Sequence, residues 1–210
     1  MPDEDPMQLQ DAAFELQAIR LHLARAERLR SVGALTAAVA AAGSLLAGFA
    51  QWACVQNPLA EPHAWIMLWT GTAAACGVFA IGESVRPTCM GKNGPDRARQ
   101  PASARSLTWF APSVVPGAVL TWLIGARLPG HLWLLPGLWQ LLFGLGCFAA
   151  WRRLPPATWI VGAFFLASGT TCLFLQQAAL GPLAMAGPFT LGLGVLAAIL
   201  RHHEVPRQTP

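Results

Sequence analysis

Few residues of this chain have side chains suited to chemistry, and most of them lie at the ends of its apolar stretches. Glu61, His63 and His131 could approach one another and offer three ligands to a metal ion. Their spacing follows no metal-ligand pattern, and polar residues are common where an apolar stretch ends. We therefore predict no metal site and no bound cofactor.

A serine nucleophile is a second possibility, because some intramembrane serine proteases pair a Ser-Gly on one helix with a His on another. Ser168 and Gly169 supply the first part, and His202 and His203 are the candidate bases. The two histidines lie at the end of the last apolar stretch, whereas Ser168 lies near the middle of its own. This separation exceeds hydrogen-bond reach. We predict that Ser168 is a packing residue and that the chain is not an enzyme.

The cysteines favour no redox activity, because they include no C-x-x-C pair. Two of them are predicted near the same end of the protein and could form a disulfide in an oxidising compartment. Small apolar packing residues are the alternative for all of them. The predicted pair is Cys54 and Cys172, and the others are Cys76, Cys89 and Cys147.

The composition indicates a membrane protein. Hydrophobic residues make up 54% of the 210 positions and charged residues 11%, whereas a soluble domain has about 25% charged residues. Crossing the roughly 30 Å hydrocarbon layer takes about 20 residues of helix. The predicted fold class is therefore all-α: a polytopic integral membrane protein with six transmembrane helices and an N-terminal amphipathic cytoplasmic helix. The predicted spans are about 31–53, 64–82, 106–126, 132–151, 157–175 and 182–200.

The basic residues orient the six predicted spans. Of the 14 Lys and Arg residues, all but Arg127 fall on one side of the arrangement, and the basic side of a membrane protein is cytoplasmic. Residues 1–30 are thus predicted to be a cytoplasmic N-terminal segment, and residues 31–200 a membrane domain. The connection 83–105 is predicted to be a cytoplasmic loop and 201–210 a cytoplasmic tail.

Residues 7–30 are predicted to form an amphipathic helix. Apolar residues recur at spacings of three and four, which makes one stripe, and acidic residues precede the arginines as the helix dipole favours. One interpretation is a docking or self-association helix. The other is a helix lying on the bilayer with its arginines near lipid phosphates. The candidate contact residues are Leu9, Leu16, Ile19, Leu23, Arg25, Arg28 and Arg30.

The predicted loop 83–105 contains three prolines and two glycines, so we expect no regular element in it. Lys92, Arg97 and Arg99 are candidate contacts for anionic lipid or an acidic partner. The alternative is that these charges only fix the topology.

Transport is the alternative to a regulatory role. No ionisable side chain falls in the middle of a predicted span, which argues against proton-coupled transport. Pro112 and Pro116 in the third span and Pro188 in the sixth predict kinks. A kink can open a cavity, although membrane helices also tolerate proline for structural reasons. The alternative function is therefore transport of a small solute or lipid-like cargo through a cavity near spans three and six.

Small residues recur at four-residue intervals in the first two spans and predict close helix packing. The series are Gly33, Ala37 and Ala41; Ala40, Ser44 and Gly48; and Ala73 and Gly77, with Ile81 breaking the last run. Tryptophans favour the membrane interface. We expect Trp52 and Trp65 at one interface, with Trp69 and Trp139 deeper.

Three segments carry a resemblance to a known group. They are LQAIR at 16–20, SVGALTAAVAAAGSLLAG at 31–48 and GLWQLLFGLGCFAAWRRLPP at 137–156. The chain resembles a family of uncharacterised small bacterial six-span membrane proteins, often encoded beside a winged-helix regulator. This resemblance implies the bacterial cytoplasmic (inner) membrane and a regulatory or sensing role, and it supplies no catalytic residues.

The leading expectation is a non-enzymatic, membrane-embedded regulatory or partner-binding protein with both termini in the cytoplasm. Its expected partners are the lipid bilayer and, through residues 7–30, a cytoplasmic protein or a second copy of the chain. We expect no direct binding to nucleic acid.

Overall fold

The computed structural model of the protein describes residues 33–90, 102–151 and 154–202. Every regular element in these ranges is helical, which confirms the all-α fold class. The N-terminal segment with its predicted amphipathic helix lies outside the described residues. The α-helices are α1 Gly33–Cys54, α2 Pro62–Met90, α3 Ala102–Arg127, α4 Leu134–Ala150, α5 Thr158–Leu175 and α6 Pro182–His202, with 3₁₀ turns at Pro129–His131 and Gln176–Leu180.

Four helical segments are long and apolar enough to cross a membrane. They are Gly33–Cys54, Pro62–Glu83, Thr158–Leu180 and Pro182–His202. The described parts of α3 and α4 contribute two shorter apolar helices, Ser113–Arg127 and Leu134–Ala150. The fold is therefore that of an all-helical protein with four candidate membrane-spanning helices, and six spans stay a prediction.

The helix ends agree with the predicted turn near the C-terminus and differ from the predicted loop. α5 ends at Leu175 and α6 begins at Pro182, the limits expected for the fifth and sixth spans. However, α2 continues to Met90 and α3 already begins at Ala102. The prediction that residues 83–105 hold no regular element is therefore wrong at both ends. A proline inside a helix removes one backbone donor, and a helix can tolerate this loss. α2 therefore continues past Pro87 to Met90.

The six helices run alternately up and down, and each packs on the next. Hydrogen bonds between neighbours illustrate this: Trp69 of α2 reaches α1, and Trp139 of α4 reaches α3. α6 returns to α1, where the Thr190 hydroxyl donates to the Ala41 carbonyl at 3.3 Å. Consequently α1, α3 and α5 finish at the same end of the bundle at which α2, α4 and α6 begin, and we call it the Gln51 end.

The bundle core consists of two apolar clusters, one at each end. The cluster at the Gln51 end comprises Ala47, Val55, Trp65, Trp69, Ile124, Leu132, Leu135, Leu180, Met185 and Ala186. The other comprises Ala34, Ala37, Ala41, Cys147, Val161, Phe165, Leu193, Leu196 and Leu200. The outer surface is apolar as well: Phe174, Leu183 and Met67 are 84%, 83% and 72% exposed. Such a surface suits contact with lipid.

Glycines let neighbouring helices approach closely. A Cβ atom added to Gly137 of α4 would lie 2.8 Å from the carbonyl oxygen of Gly169 of α5, and one added to Gly144 would lie 2.9 Å from that of Gly162. Only residues without a Cβ permit this distance between backbones. The packing predicted for α1 is confirmed at Gly48, where an added Cβ would lie 2.5 Å from the Cβ of Ala186.

The corresponding prediction for α2 is wrong. Nothing lies within 4 Å of a Cβ built at Gly77, and only 11% of the apolar window of α2 is buried, against 33% for α1. Within the described ranges, the face of α2 around Gly77 therefore packs on no other helix.

Gln176 adopts a backbone conformation that favours glycine, with φ 49° and ψ −119° at the end of α5. A residue with a Cβ is strained there by about 1–3 kcal/mol, whereas glycine adopts it freely. We expect Gln176→Gly to raise the free energy of unfolding in detergent by about 1 kcal/mol. Gln177→Gly is the control, since Gln176 is the one non-glycine residue with positive φ among the described residues. Equal stabilisation by both changes would contradict the strain argument.

Candidate functional site

The contact residues predicted from the sequence lie outside the described residues. This applies to the N-terminal stripe and to the basic loop, so their roles stay predictions. The residues concerned are Leu9, Leu16, Ile19, Leu23, Arg25, Arg28, Arg30, Lys92, Arg97 and Arg99.

The candidates for metal binding and catalysis do not converge on a site. Glu61, His63 and His131 are all exposed at the Gln51 end, and no group of three or more metal-ligating side chains exists within the described ranges. The Ser168 hydroxyl donates to the carbonyl of Phe165 in its own helix at 3.3 Å. These side chains therefore face solvent or their own helix.

Cys54 and Cys172, the candidate disulfide pair, are both free in this structure. Cys54 is exposed and Cys172 is buried. The Cys172 thiol lies 3.4 Å from Nε2 of Gln140, which donates to it, and 3.7 Å from the carbonyl oxygen of Ala184. Cys172 is thus part of a buried polar cluster.

Gln51 of α1 makes a second set of buried hydrogen bonds at the same end of the bundle, and we call the two sets together the polar cluster. Gln51 is 1% exposed, and a buried amide is costly unless it is hydrogen-bonded. Its Nε2 donates to the carbonyl of Leu180 at 2.6 Å, and its Oε1 accepts the indole N–H of Trp69 at 2.8 Å. One side chain therefore ties α1 to α2 and to the turn before α6.

Gln140 of α4 replaces a backbone donor that Pro188 removes. In an α-helix the carbonyl of residue 184 accepts the N–H of residue 188, but Pro188 lies inside α6 and has no N–H. The Nε2 of Gln140, which is 0% exposed, donates to the Ala184 carbonyl at 2.9 Å. Together with Cys172, it satisfies a carbonyl that its own helix cannot.

Two tryptophans pack beside this cluster. The rings of Trp65 and Trp139 stack at 5.7 Å between centroids and 9° between planes, and the Trp139 indole donates to the Thr121 hydroxyl at 2.9 Å. Trp65 is 0% exposed because the Trp139 ring covers it, and its predicted position at a membrane interface stays a prediction. The Trp65 Nε1 and the Gln140 Oε1 are buried atoms without a hydrogen-bond partner.

A cavity of about 590 Å³ opens beside Gln51, a volume in the range of small-molecule sites. The end of α1, the connection to α2 and the turn before α6 form the walls of this partly open cavity, and none of its described lining residues is charged. Its lining residues are Gln51, Trp52, Ala53, Val55, Gln56, Pro58, Leu180, Gly181 and Pro182. We call it the Gln51 cavity.

A second cavity of about 500 Å³ lies between α1 and α2 and has an almost wholly apolar lining that includes Gly43, Leu68 and Phe79. Neither cavity is lined by the described side chains of α3, residues 113–127. The cavity near spans three and six that the transport alternative predicts therefore stays a prediction.

The fold and the polar cluster together define a class: an all-helical protein with four helices able to cross a membrane and an uncharged polar cluster buried at one end. Comparison of the chain with protein-family models, curated proteins and solved structures finds no match. The resemblance to small bacterial membrane proteins therefore stays a prediction.

Neither glutamine of the polar cluster is among the site residues predicted from the sequence. A signal was present, because Gln51 and Gln140 are the only glutamines inside the six predicted spans. An amide in a hydrocarbon environment needs a partner, so their position alone indicates buried hydrogen bonds. The residues considered for catalysis and metal binding are ionisable or nucleophilic, and they include no neutral amide.

Proposed function

We propose that the chain is a six-span protein of the bacterial inner membrane, with both termini in the cytoplasm, that binds a partner or regulates it and catalyses no reaction. The observation that carries this proposal is the chemistry of the buried polar side chains. Those in the described ranges are all uncharged: Ser44, Gln51, Thr121, Gln140 and Thr158. Ion and proton pathways in membranes typically use buried ionisable residues.

The hydrogen bonds of these side chains also indicate that they stabilise the bundle. Gln51 and Gln140 donate to backbone carbonyls of other helices, while Ser44 and Thr121 donate to carbonyls one turn back in their own helix. Such bonds hold the bundle together and satisfy its backbone. Contacts with a partner are then left to the segments outside the bundle.

The alternating helix directions support the six-span topology. Arg127 ends α3 at the Gln51 end, whereas Arg201 lies near the end of α6, at the opposite end. Under the positive-inside rule the Gln51 end is the outer one, because the other basic residues fall in segments attached to the opposite end. Cysteine accessibility at each terminus in intact cells tests this, and labelling of either terminus from outside would contradict it.

The proposed partner-binding element is the segment 7–30, whose stripe includes Leu16 and Leu23. We expect the double change Leu16→Glu and Leu23→Glu in the full chain to abolish cross-linked dimers or recovery of a bound cytoplasmic protein, because it places charge on the apolar stripe. The matched control is Gln17→Glu with Leu21→Glu, which alters the opposite face of the same predicted helix.

Two readouts make this test decisive. Equal recovery of dimer and partner from the stripe variant and the control would contradict partner binding through the stripe. Flotation of a peptide of residues 1–30 with anionic and neutral vesicles measures the alternative of a bilayer-bound helix. Binding to anionic vesicles with unchanged partner recovery in the stripe variant would favour the bilayer.

A further inference from the structure

The Gln51 cavity has a buried floor and an exposed rim. Gln51, Val55 and Leu180 form the floor and are 1%, 7% and 3% exposed, whereas Trp52 on the rim is 70% exposed. The cavity lies where α1 ends and α6 begins, so in a membrane it would lie in the interfacial zone between lipid chains and water. Tryptophan side chains favour this zone.

The floor of the cavity has hydrogen-bonding capacity left over. A glutamine amide offers two N–H donors and two acceptor lone pairs. Gln51 uses one donor on the Leu180 carbonyl and one lone pair on the Trp69 indole, which leaves one of each. The last carbonyls of a helix also lack donors within it, and those of Trp52 and Ala53 belong to lining residues.

The lining chemistry restricts the occupant to an uncharged molecule. None of the described lining residues is Asp, Glu, Lys, Arg or His, so an ionised group at the buried floor would lose part of its hydration and gain no counter-charge. Val55, Pro58 and Pro182 provide apolar walls beside the amide. Leu183, which follows directly, is 83% exposed and offers a path along which an apolar chain can continue.

We propose that the Gln51 cavity binds an uncharged amphiphile, with a hydroxyl or amide head on the Gln51 side chain and an apolar chain leaving past Pro182 into lipid. Gln51 joins α1, α2 and the turn before α6, so an occupant on its amide contacts the residue that holds three elements together. This site goes beyond the partner-binding role proposed above and does not depend on residues 1–30.

The test uses the full chain in nanodiscs and a diazirine-bearing octanol as the photoreactive probe, with sites of labelling read by mass spectrometry. We expect labelling concentrated on residues 52–58 and 180–182 and competed by unlabelled octanol. A diazirine-bearing octylammonium is the charged control, and we expect it to label this region several-fold less, because its charge finds no partner there.

Two variants locate the head group and block the cavity. Gln51→Leu is expected to lower labelling about fivefold, since one hydrogen bond of about 1 kcal/mol corresponds to that factor. Ala53→Trp places a large side chain at the exposed rim without touching the polar cluster, so it keeps the test valid if Gln51→Leu does not fold. We expect it to abolish labelling and leave the unfolding midpoint unchanged.

Thr72→Val, in the second cavity, is the matched control and should leave the labelling of residues 52–58 unchanged. Equal labelling by the alcohol and the ammonium, or labelling spread over α2 and α3 and unaffected by Ala53→Trp, would overturn the proposal. Because the readout involves no partner protein, these outcomes are separate from failure of the partner-binding function.

Discussion

Gln140→Leu is expected to lower the free energy of unfolding by about 1–3 kcal/mol, the cost of leaving a buried backbone acceptor without a full donor. The Ala184 carbonyl has no helical donor, because residue 188 is proline. Gln140 donates to it at 2.9 Å, and the thiol of Cys172 is more distant at 3.7 Å. Leucine fills a similar volume, so the loss reports the hydrogen bond rather than a cavity.

Pro188→Ala tests the cause of that loss. Alanine restores the N–H that an α-helix aims at the Ala184 carbonyl, so this carbonyl would no longer depend on Gln140. We expect Gln140→Leu to cost at least about 1 kcal/mol less in the Pro188→Ala background than in the native chain, which is a coupling typical of residues sharing one partner. The four proteins of this cycle are compared by unfolding in detergent.

The control for the cycle is Thr190→Val combined with Pro188→Ala. Thr190 is also on α6, but its hydroxyl donates to the Ala41 carbonyl of α1 at 3.3 Å, so it does not share the Ala184 carbonyl with Gln140. We expect a smaller coupling between these two changes than between Gln140→Leu and Pro188→Ala, because they share no hydrogen-bond partner. An additive result for Gln140→Leu with Pro188→Ala would show that Gln140 does not substitute for the missing donor.

The features that the sequence predicts correctly are local. The limits of α5 and α6 follow from an uncharged run too long for one helix, interrupted near Gln176 and Pro182. The all-helical class follows from composition and from the length of the apolar stretches. Such signals need no knowledge of which helix lies beside which.

The polar cluster depends on which helices are neighbours, and the sequence does not show this. The sequence shows that Pro188 leaves a carbonyl without a donor, yet the donor comes from Gln140, on another helix. Likewise, Gln51 is close to Leu180 only because α6 returns to α1. Neither glutamine is charged, so neither gives the usual sequence signal of a functional site, an ionisable residue within a span. Sequence reasoning therefore identifies the need for a donor but not its source.

The glycine pairs between α4 and α5 were missed for a different reason. The series found in the first two spans has a period of four, whereas these glycines are seven residues apart, at 137 and 144 and at 162 and 169. A spacing of seven corresponds to two helical turns on one face. Two antiparallel helices with this spacing bring glycine opposite glycine twice.

Gly169→Ala is expected to lower the free energy of unfolding by about 1–3 kcal/mol, the cost typical of overpacking. Its Cβ would lie 2.9 Å from the carbonyl oxygen of Gly137 and 3.0 Å from the backbone nitrogen of Leu141. Both atoms belong to the backbone of α4, so no side chain can rotate away and the helices must separate. The measurement is unfolding in detergent followed by circular dichroism.

Gly194→Ala is the matched control, because nothing lies within 4 Å of a Cβ built there in the middle of α6. Alanine favours a helix over glycine by up to about 1 kcal/mol, so this change is expected to leave stability unchanged or raise it. The same substitution should thus lower stability at Gly169 and not at Gly194. Equal effects would mean that helix propensity, rather than contact between backbones, decides the stability of the α4 and α5 pair.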